Sequence, residues 1–205
     1  MKIISNYFPS LSDRQINKFN QLLSIYSKLN NKINLISRKD MNNFYIHHVL
    51  HSLGIAKFQE FKPGTKVLDL GTGGGFPGIP LAIFFPKVNF YLIDGIGKKI
   101  DSVKDVIGKL HLENVYAKKI RAENFDEKID FVVVRAVGKI KVFFPWIKNN
   151  FSSNQINSRK NGLICLKGGD LSNVLSSFPN VEVVNMSTYF SESFFETKKI
   201  IYLPY

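Results

Sequence analysis

The chain has 205 residues, 44% of them hydrophobic, enough for one α/β domain with a sizeable core and a small extension rather than a disordered chain. A formal net charge of +12 at pH 7 calls for an acidic partner, most commonly nucleic acid, although only five of the 28 basic residues are arginines and the lysine, Asn and Ile bias is that of an AT-rich genome. No apolar run approaches the roughly 18 residues of a membrane span, Met1 to Asp13 lack a secretory signal core, and the single cysteine, Cys165, cannot pair internally, so a reducing cytoplasm is expected.

Ser12 and Gln15 are spaced as a capping box. Ile16, Phe19, Leu22, Leu23, Tyr26 and Leu29 then recur at helical spacing, and Asn30-Asn31-Lys32 ends that helix. A second helix is expected from Met41 to Phe58, ahead of Lys62-Pro63-Gly64. From there apolar runs alternate with helical patterns, giving strands near 66–71, 89–94, 115–120, 131–137 and 162–168. Such alternation predicts a mainly parallel sheet with helices on both faces. Cys165 falls inside the last of these runs and reads as a buried strand residue, not a nucleophile. Ser152 to Asn161 reads as a polar loop insertion. Val181 to Tyr189 and Lys198 to Tyr205 are strand-like, with no good helix between them, and read as a closing hairpin. Residues 1–60 are thus expected to form a helical extension and 61–205 the α/β domain.

The most informative stretch is Val67-Leu68-Asp69-Leu70-Gly71-Thr72-Gly73-Gly74-Gly75-Phe76-Pro77-Gly78. A buried strand ends in a glycine-dense turn, and Pro77 suits the first turn of a helix. Glycines let the backbone turn tightly and lie against a ligand. The turn lacks the Gly-Lys-Ser/Thr of a phosphate-binding Walker loop. The G-x-G-x-x-G pattern fails from Gly71, because Phe76 stands sixth, and from Gly73 it begins two residues late. S-adenosylmethionine fits better: it has no pyrophosphate, but a cationic sulfonium and an amino-acid tail that suit the carboxylate of Asp69. The next apolar run ends at Asp94, near the spacing at which a carboxylate accepts hydrogen bonds from a ribose. The competing reading of Asp94 is a helix cap.

The loop from Gly71 through Pro77-Gly78-Ile79-Pro80-Leu81 resembles the signature of the RsmG family, also called glucose-inhibited division protein B. Asn34-Leu35-Ile36-Ser37-Arg38-Lys39-Asp40, His48-Val49-Leu50-His51-Ser52-Leu53, Gly97-Lys98-Lys99, Arg121-Ala122-Glu123, Arg135-Ala136 and Leu166-Lys167-Gly168 follow in the family's order. The resemblance implies a Rossmann-like class I S-adenosylmethionine-dependent methyltransferase fold, a seven-stranded sheet with an antiparallel C-terminal strand. It implies methylation of guanine N7 in the helix 18 loop of bacterial 16S rRNA, by a monomer acting on the RNA or the small ribosomal subunit, without metal or membrane. It places the cofactor beside Asp69, Gly71, Gly73, Gly75, Phe76, Asp94, Ala122, Glu123 and Arg135. Arg135 and Lys167 are expected at the reaction centre, and His48, Arg121 and Lys198 toward the RNA. Three residues depart from the family pattern: His51 stands where the family usually has Asp, His47 where it often has Arg, and Lys198 where it usually has Arg.

Guanine N7 carries an in-plane lone pair, so its methylation needs no general base, and none is sought among His47, His48 and His51. His47 and His51 are four residues apart but lack an H-E-x-x-H pattern, which argues against zinc. A methyltransferase for another RNA, or a non-catalytic RNA-binding module on the same fold, are the rival expectations.

Overall fold

The alternating apolar runs fold into β1 (Lys66–Leu70), β2 (Asn89–Asp94), β3 (Val115–Lys119), β4 (Phe131–Arg135) and β5 (Gly162–Gly168), followed by β6 (Glu182–Asn185) and β7 (Lys198–Pro204). The computed structural model describes residues 2–169, 171, 177, 178 and 180–205. All seven strands join one sheet in the order β3-β2-β1-β4-β5-β7-β6. β1 to β5 pair in parallel. β7 lies antiparallel between β5 and β6, so the expected closing pair is present and only β7 opposes the other six directions. β1 and β4 end earlier than the apolar runs suggest. Gly71 (φ 68°) and Ala136 (φ 57°) adopt left-handed backbone and turn the chain out of the sheet.

The helices are α1 (Lys2–Tyr7), α2 (Asp13–Asn30), α3 (His51–Phe58), α4 (Gly78–Phe84), α5 (Gly97–Leu110) and α6 (Ile140–Ile147). The capping box forms: Ser12 N donates to Gln15 Oε1 at 3.0 Å and Gln15 N to Ser12 Oγ at 3.4 Å. The expected helix from Met41 to Phe58 is not one α-helix. Arg38–Asn43 is a 3₁₀ turn and Tyr45–Leu50 a π turn, with α-helix only from His51. The carboxylate of Asp40 binds the rings of both His47 and His48 there, and the altered winding accompanies that contact. π turns are frequent at functional sites.

Successive strand residues face opposite sides of the sheet. Val67, Phe90 and Val133 meet Phe19, Leu22 and Tyr26 of α2, Leu53 of α3, Ile79 of α4 and Val103 of α5. Leu68, Val132, Val134 and Cys165 face the other way, toward Ile140 and Phe143 of α6. The helical extension therefore shares one core with the sheet. Strand order reverses between β1 and its neighbours β2 and β4, which opens a crevice at the carboxyl ends of β1 and β4.

Candidate active site

A cleft of about 310 Å³ opens at that crevice, with Leu70, Gly71, Ile93, Asp94, Gly95, Ile96, Ile120, Arg121, Ala122, Glu123, Val137 and Trp146 as its walls. Four residues expected beside the cofactor, Gly71, Asp94, Ala122 and Glu123, come together here. Arg121, expected to face RNA, joins them, with a side chain 77% exposed. Asp69, Gly73, Gly75, Phe76 and Arg135 are not among the walls.

Asp94 serves both competing readings at once. Its Oδ1 accepts from Ile96 N at 2.8 Å and starts α5, while Oδ2 accepts from Gly73 N at 3.0 Å and holds the glycine turn. Each carboxylate oxygen has a second lone pair, which leaves acceptor capacity for a ribose hydroxyl. Gly71 has no room for a side chain, since a Cβ would meet Val137 Cγ2 at 2.6 Å. At Gly75 a Cβ would meet Ile79 Cγ1 at 2.7 Å and Tyr26 Oη at 3.0 Å, so that glycine serves the packing beneath the turn.

Asp69 is fully buried. Its Oδ2 accepts from Thr72 Oγ1 at 2.6 Å and Gly78 N at 2.8 Å, tying the turn to the start of α4. Its Oδ1 has no hydrogen-bond partner among the described residues. Burial raises its pKa to about 6, opposed by the Thr72 and Gly78 hydrogen bonds and by the charge of Arg135. An unpaired carboxylate oxygen at this depth fits a ligand bearing a positive charge. Together with the spare lone pairs of Asp94 and the apolar walls Ile96, Val137 and Trp146, the residues fit S-adenosylmethionine.

Arg135 ends β4, near enough to Asp69 for their charges to interact. It donates from Nη1 to His47 O and from Nη2 to His48 Nδ1, both at 3.1 Å, and its guanidinium sits 5.0 Å over the Phe76 ring. Burial lowers its pKa to about 10, so it remains charged at neutral pH. Because arginine only donates, His48 Nδ1 must accept, and His48 Nε2 carries the proton it gives Asp40 Oδ2 at 2.6 Å. Burial first, and Arg135 second, lower the His48 pKa to about 4. Both ring nitrogens of His48 are thus engaged inside the protein, and its side chain is only 11% exposed. This network was not legible in the sequence, because Asp40 and Arg135 lie far apart along the chain.

The three departures from the family pattern meet on one ring. His47 stacks on Phe194 with centroids 4.0 Å apart, His51 meets it edge-on at 5.4 Å, and Lys198 Nζ lies 4.6 Å from its centroid. Burial, then Arg135 and Lys198, lower the His51 pKa to about 3, so its ring is neutral. Lys167 donates to Val137 O at 2.9 Å and Gly138 O at 2.8 Å, fixing the loop after β4 that walls the cleft. Cys165 is buried and its thiol is pushed up to about 12, consistent with an inert strand residue. Among the described residues no group of three His, Cys, Asp or Glu is placed to hold a metal, and no helix is long and apolar enough to cross a membrane. Ile96, Val137 and Trp146, which the sequence reading did not single out, supply the cleft's apolar surface. Ile96 and Val137 share a position just after β2 and β4, whereas Trp146 comes from α6.

Sheet order, a glycine turn after β1 and a carboxylate at the end of β2 define a Rossmann-like class I S-adenosylmethionine-dependent methyltransferase. Solved structures share this fold. One is a mutant of MtNAS in complex with S-adenosylmethionine (TM-score 0.58, 12% identity, 93% of this chain and 76% of that one). Another is a SAM dependent methyltransferase from Aquifex aeolicus (TM-score 0.58, 16% identity, 82% and 97%). Residues 15–173 match the family described as rRNA small subunit methyltransferase G, and the chain belongs to it. Curated relatives named ribosomal RNA small subunit methyltransferase G include those of Flavobacterium johnsoniae (52% identity, 100% of this chain, 98% of the relative) and Bacteroides thetaiotaomicron (52%, 98% and 98%). That of Christiangramia forsetii is 48% identical over 100% of this chain and 97% of its own.

Proposed function

We propose that the chain transfers a methyl group from S-adenosylmethionine to N7 of a guanine in the helix 18 loop of bacterial 16S rRNA. The supporting observation is the cleft at the switch point, where Gly71, Asp94, Ala122 and Glu123 converge. Family membership and a net charge of +12 support an RNA substrate.

When bound, S-adenosylmethionine supplies an electrophilic methyl group. That chemistry would leave a positive charge on the purine in place of the one on sulfur. No proton leaves N7, so the protein's task is alignment and electrostatics. Asp94 would hold the ribose, and the buried charge of Asp69, whose Oδ1 has no partner among the described residues, would favour the cationic tail. Arg135 keeps N–H donors beyond the two given to His47 and His48, and these orient the base or the cofactor tail. Lys167 acts through the Val137–Gly138 loop. His48 has no free ring nitrogen and is not a base. Its place, like that of Lys198 on Phe194, is to shape the wall nearest the RNA.

The test is methyl transfer from labelled S-adenosylmethionine to undermethylated 16S rRNA and to small subunits, with cleavage mapping of 7-methylguanosine. One modified guanine in the helix 18 loop is expected. Cofactor binding with modification elsewhere would overturn the site of methylation and keep the enzyme class.

A further inference from the structure

The segment between α2 and the Arg38–Asn43 turn is mounted rigidly. Asn30 Nδ2 donates to Ile36 O at 2.7 Å, and Asn30 Oδ1 accepts from Leu35 N at 2.9 Å and Ile36 N at 3.0 Å. Leu35 abuts the glycine turn: a Cβ on Gly74 would lie 3.4 Å from Leu35 Cβ. At the far end, Asp40 binds both histidine rings and, through His48, Arg135. The backbone of this segment is therefore fixed to the cofactor turn and to the Arg135 network together.

Its outer side has another character. Asn30, Asn31, Lys32, Ile33, Asn34, Ser37 and Arg38 surround a hollow of about 420 Å³. Lys32 and Arg38 of its lining are exposed, as are Lys28 and Lys39 flanking it in sequence, and none of the four forms a salt bridge among the described residues. The only carboxylate between Arg14 and Gln59 is Asp40, which is occupied by the histidines. Unpaired cations beside amide and hydroxyl donors are what phosphodiester oxygens require.

Resting on the RNA-methylating reading, we infer that this hollow grips the phosphate backbone of the substrate RNA. A phosphate held here is fixed relative to the cofactor turn, because the same segment packs on both. The grip sets register, and the cleft does the chemistry. Each cation that meets a phosphate releases condensed counterions, so the contact has a salt signature.

The experiment compares the full chain with the pair Lys32→Gln and Arg38→Gln, and with a charge-matched control, Lys87→Gln and Lys104→Gln, two exposed lysines elsewhere. In the first pair the KM for 16S rRNA is expected to rise about tenfold, and the slope of log affinity against log salt to fall by about two. Its kcat at saturating RNA and its S-adenosylmethionine affinity, read from Trp146 fluorescence, are expected to stay unchanged. The control pair is expected to move neither quantity. Equal losses in both pairs would reduce the effect to bulk charge and overturn the inference. So would an unmoved KM and salt slope, even if the hollow takes inorganic phosphate, which would make it an anion site only. RNA binding is also measured without cofactor. If the wild-type chain transfers nothing, that comparison still decides whether the hollow holds RNA.

Discussion

Asp94 carries two jobs on one carboxylate, and its substitution separates them from everything else at the site. Asp94→Ala removes the ribose acceptor and the Gly73 anchor together. S-adenosylmethionine affinity is expected to fall at least tenfold, the size of one charge-assisted hydrogen bond. Binding of 16S rRNA should stay nearly intact. Calorimetry and filter binding on the same preparation check this, and an equal loss in both with the fold preserved would refute the ribose assignment. Asp40 is the other decisive residue. Its two oxygens take His47 Nδ1 at 2.5 Å and His48 Nε2 at 2.6 Å. Asparagine has only one acceptor oxygen, so one imidazole loses its partner and Arg135 loses its fixed seat. Asp40→Asn is expected to lower kcat about tenfold, and any accompanying loss of cofactor affinity assigns Arg135 to the cofactor tail, its absence to the base. Steady-state kinetics beside a cofactor titration tests it, and an unaltered kcat would detach Arg135 from alignment.

At the scale of elements, the helical extension does more than cover the sheet. Gln15 completes the cap of α2 and also donates to Ile83 O and Phe84 O, satisfying carbonyls at the end of α4. Tyr26 of α2 donates to Gly74 O at 2.6 Å, deep in the core, and its ring packs 5.0 Å from that of Phe76. Burial raises the Tyr26 pKa far above its ordinary value, so it stays a donor. The extension thereby clamps the glycine turn from below. Tyr26→Phe leaves the Gly74 carbonyl buried without this donor and is expected to cost about 1–2 kcal/mol of stability. Cofactor affinity is expected to fall modestly too, as the turn loosens. Urea unfolding and cofactor titration measure the two effects, and full stability in the variant would show that the clamp is idle.

For the whole molecule, buried titratable groups set an acid limit. His48 and His51 have native pKa values near 4 and 3, below the ordinary 6.5. Between about pH 6.5 and 4 the unfolded chain binds these protons and the folded chain does not, so stability falls as pH falls. Asp69 works the other way. Its native pKa of about 6 exceeds the ordinary 3.8, so folding takes up a proton there and offsets one histidine. Two opposed by one leaves a net loss on the order of 2 kcal/mol between pH 7 and 5. Urea unfolding at the two pH values reads it directly. Replacing His51 by Phe should flatten the dependence, and an unchanged pH profile in that variant would mean that His51 does not carry the effect.

Local order determined much of this protein. The strands from Lys66, Asn89, Val115, Phe131 and Gly162, the capped helix α2 and the glycine turn with its later carboxylate were all legible. Strand periodicity, cap spacing and glycine density act over a few residues and need no partner from afar. Gly71 and Asp94 could be paired from their spacing, whereas Ala122 and Glu123 could be named beside them only because the family resemblance supplied their order. Tertiary structure decided the rest. It turned the expected helix after Met41 into 3₁₀ and π turns where Asp40 binds two histidines. It also joined Arg135 to His47 and His48, and brought His47, His51 and Lys198 onto Phe194. The physical reason is one of range: a buried charge must find its partners across the folded core, and those partners come from segments that no local pattern connects.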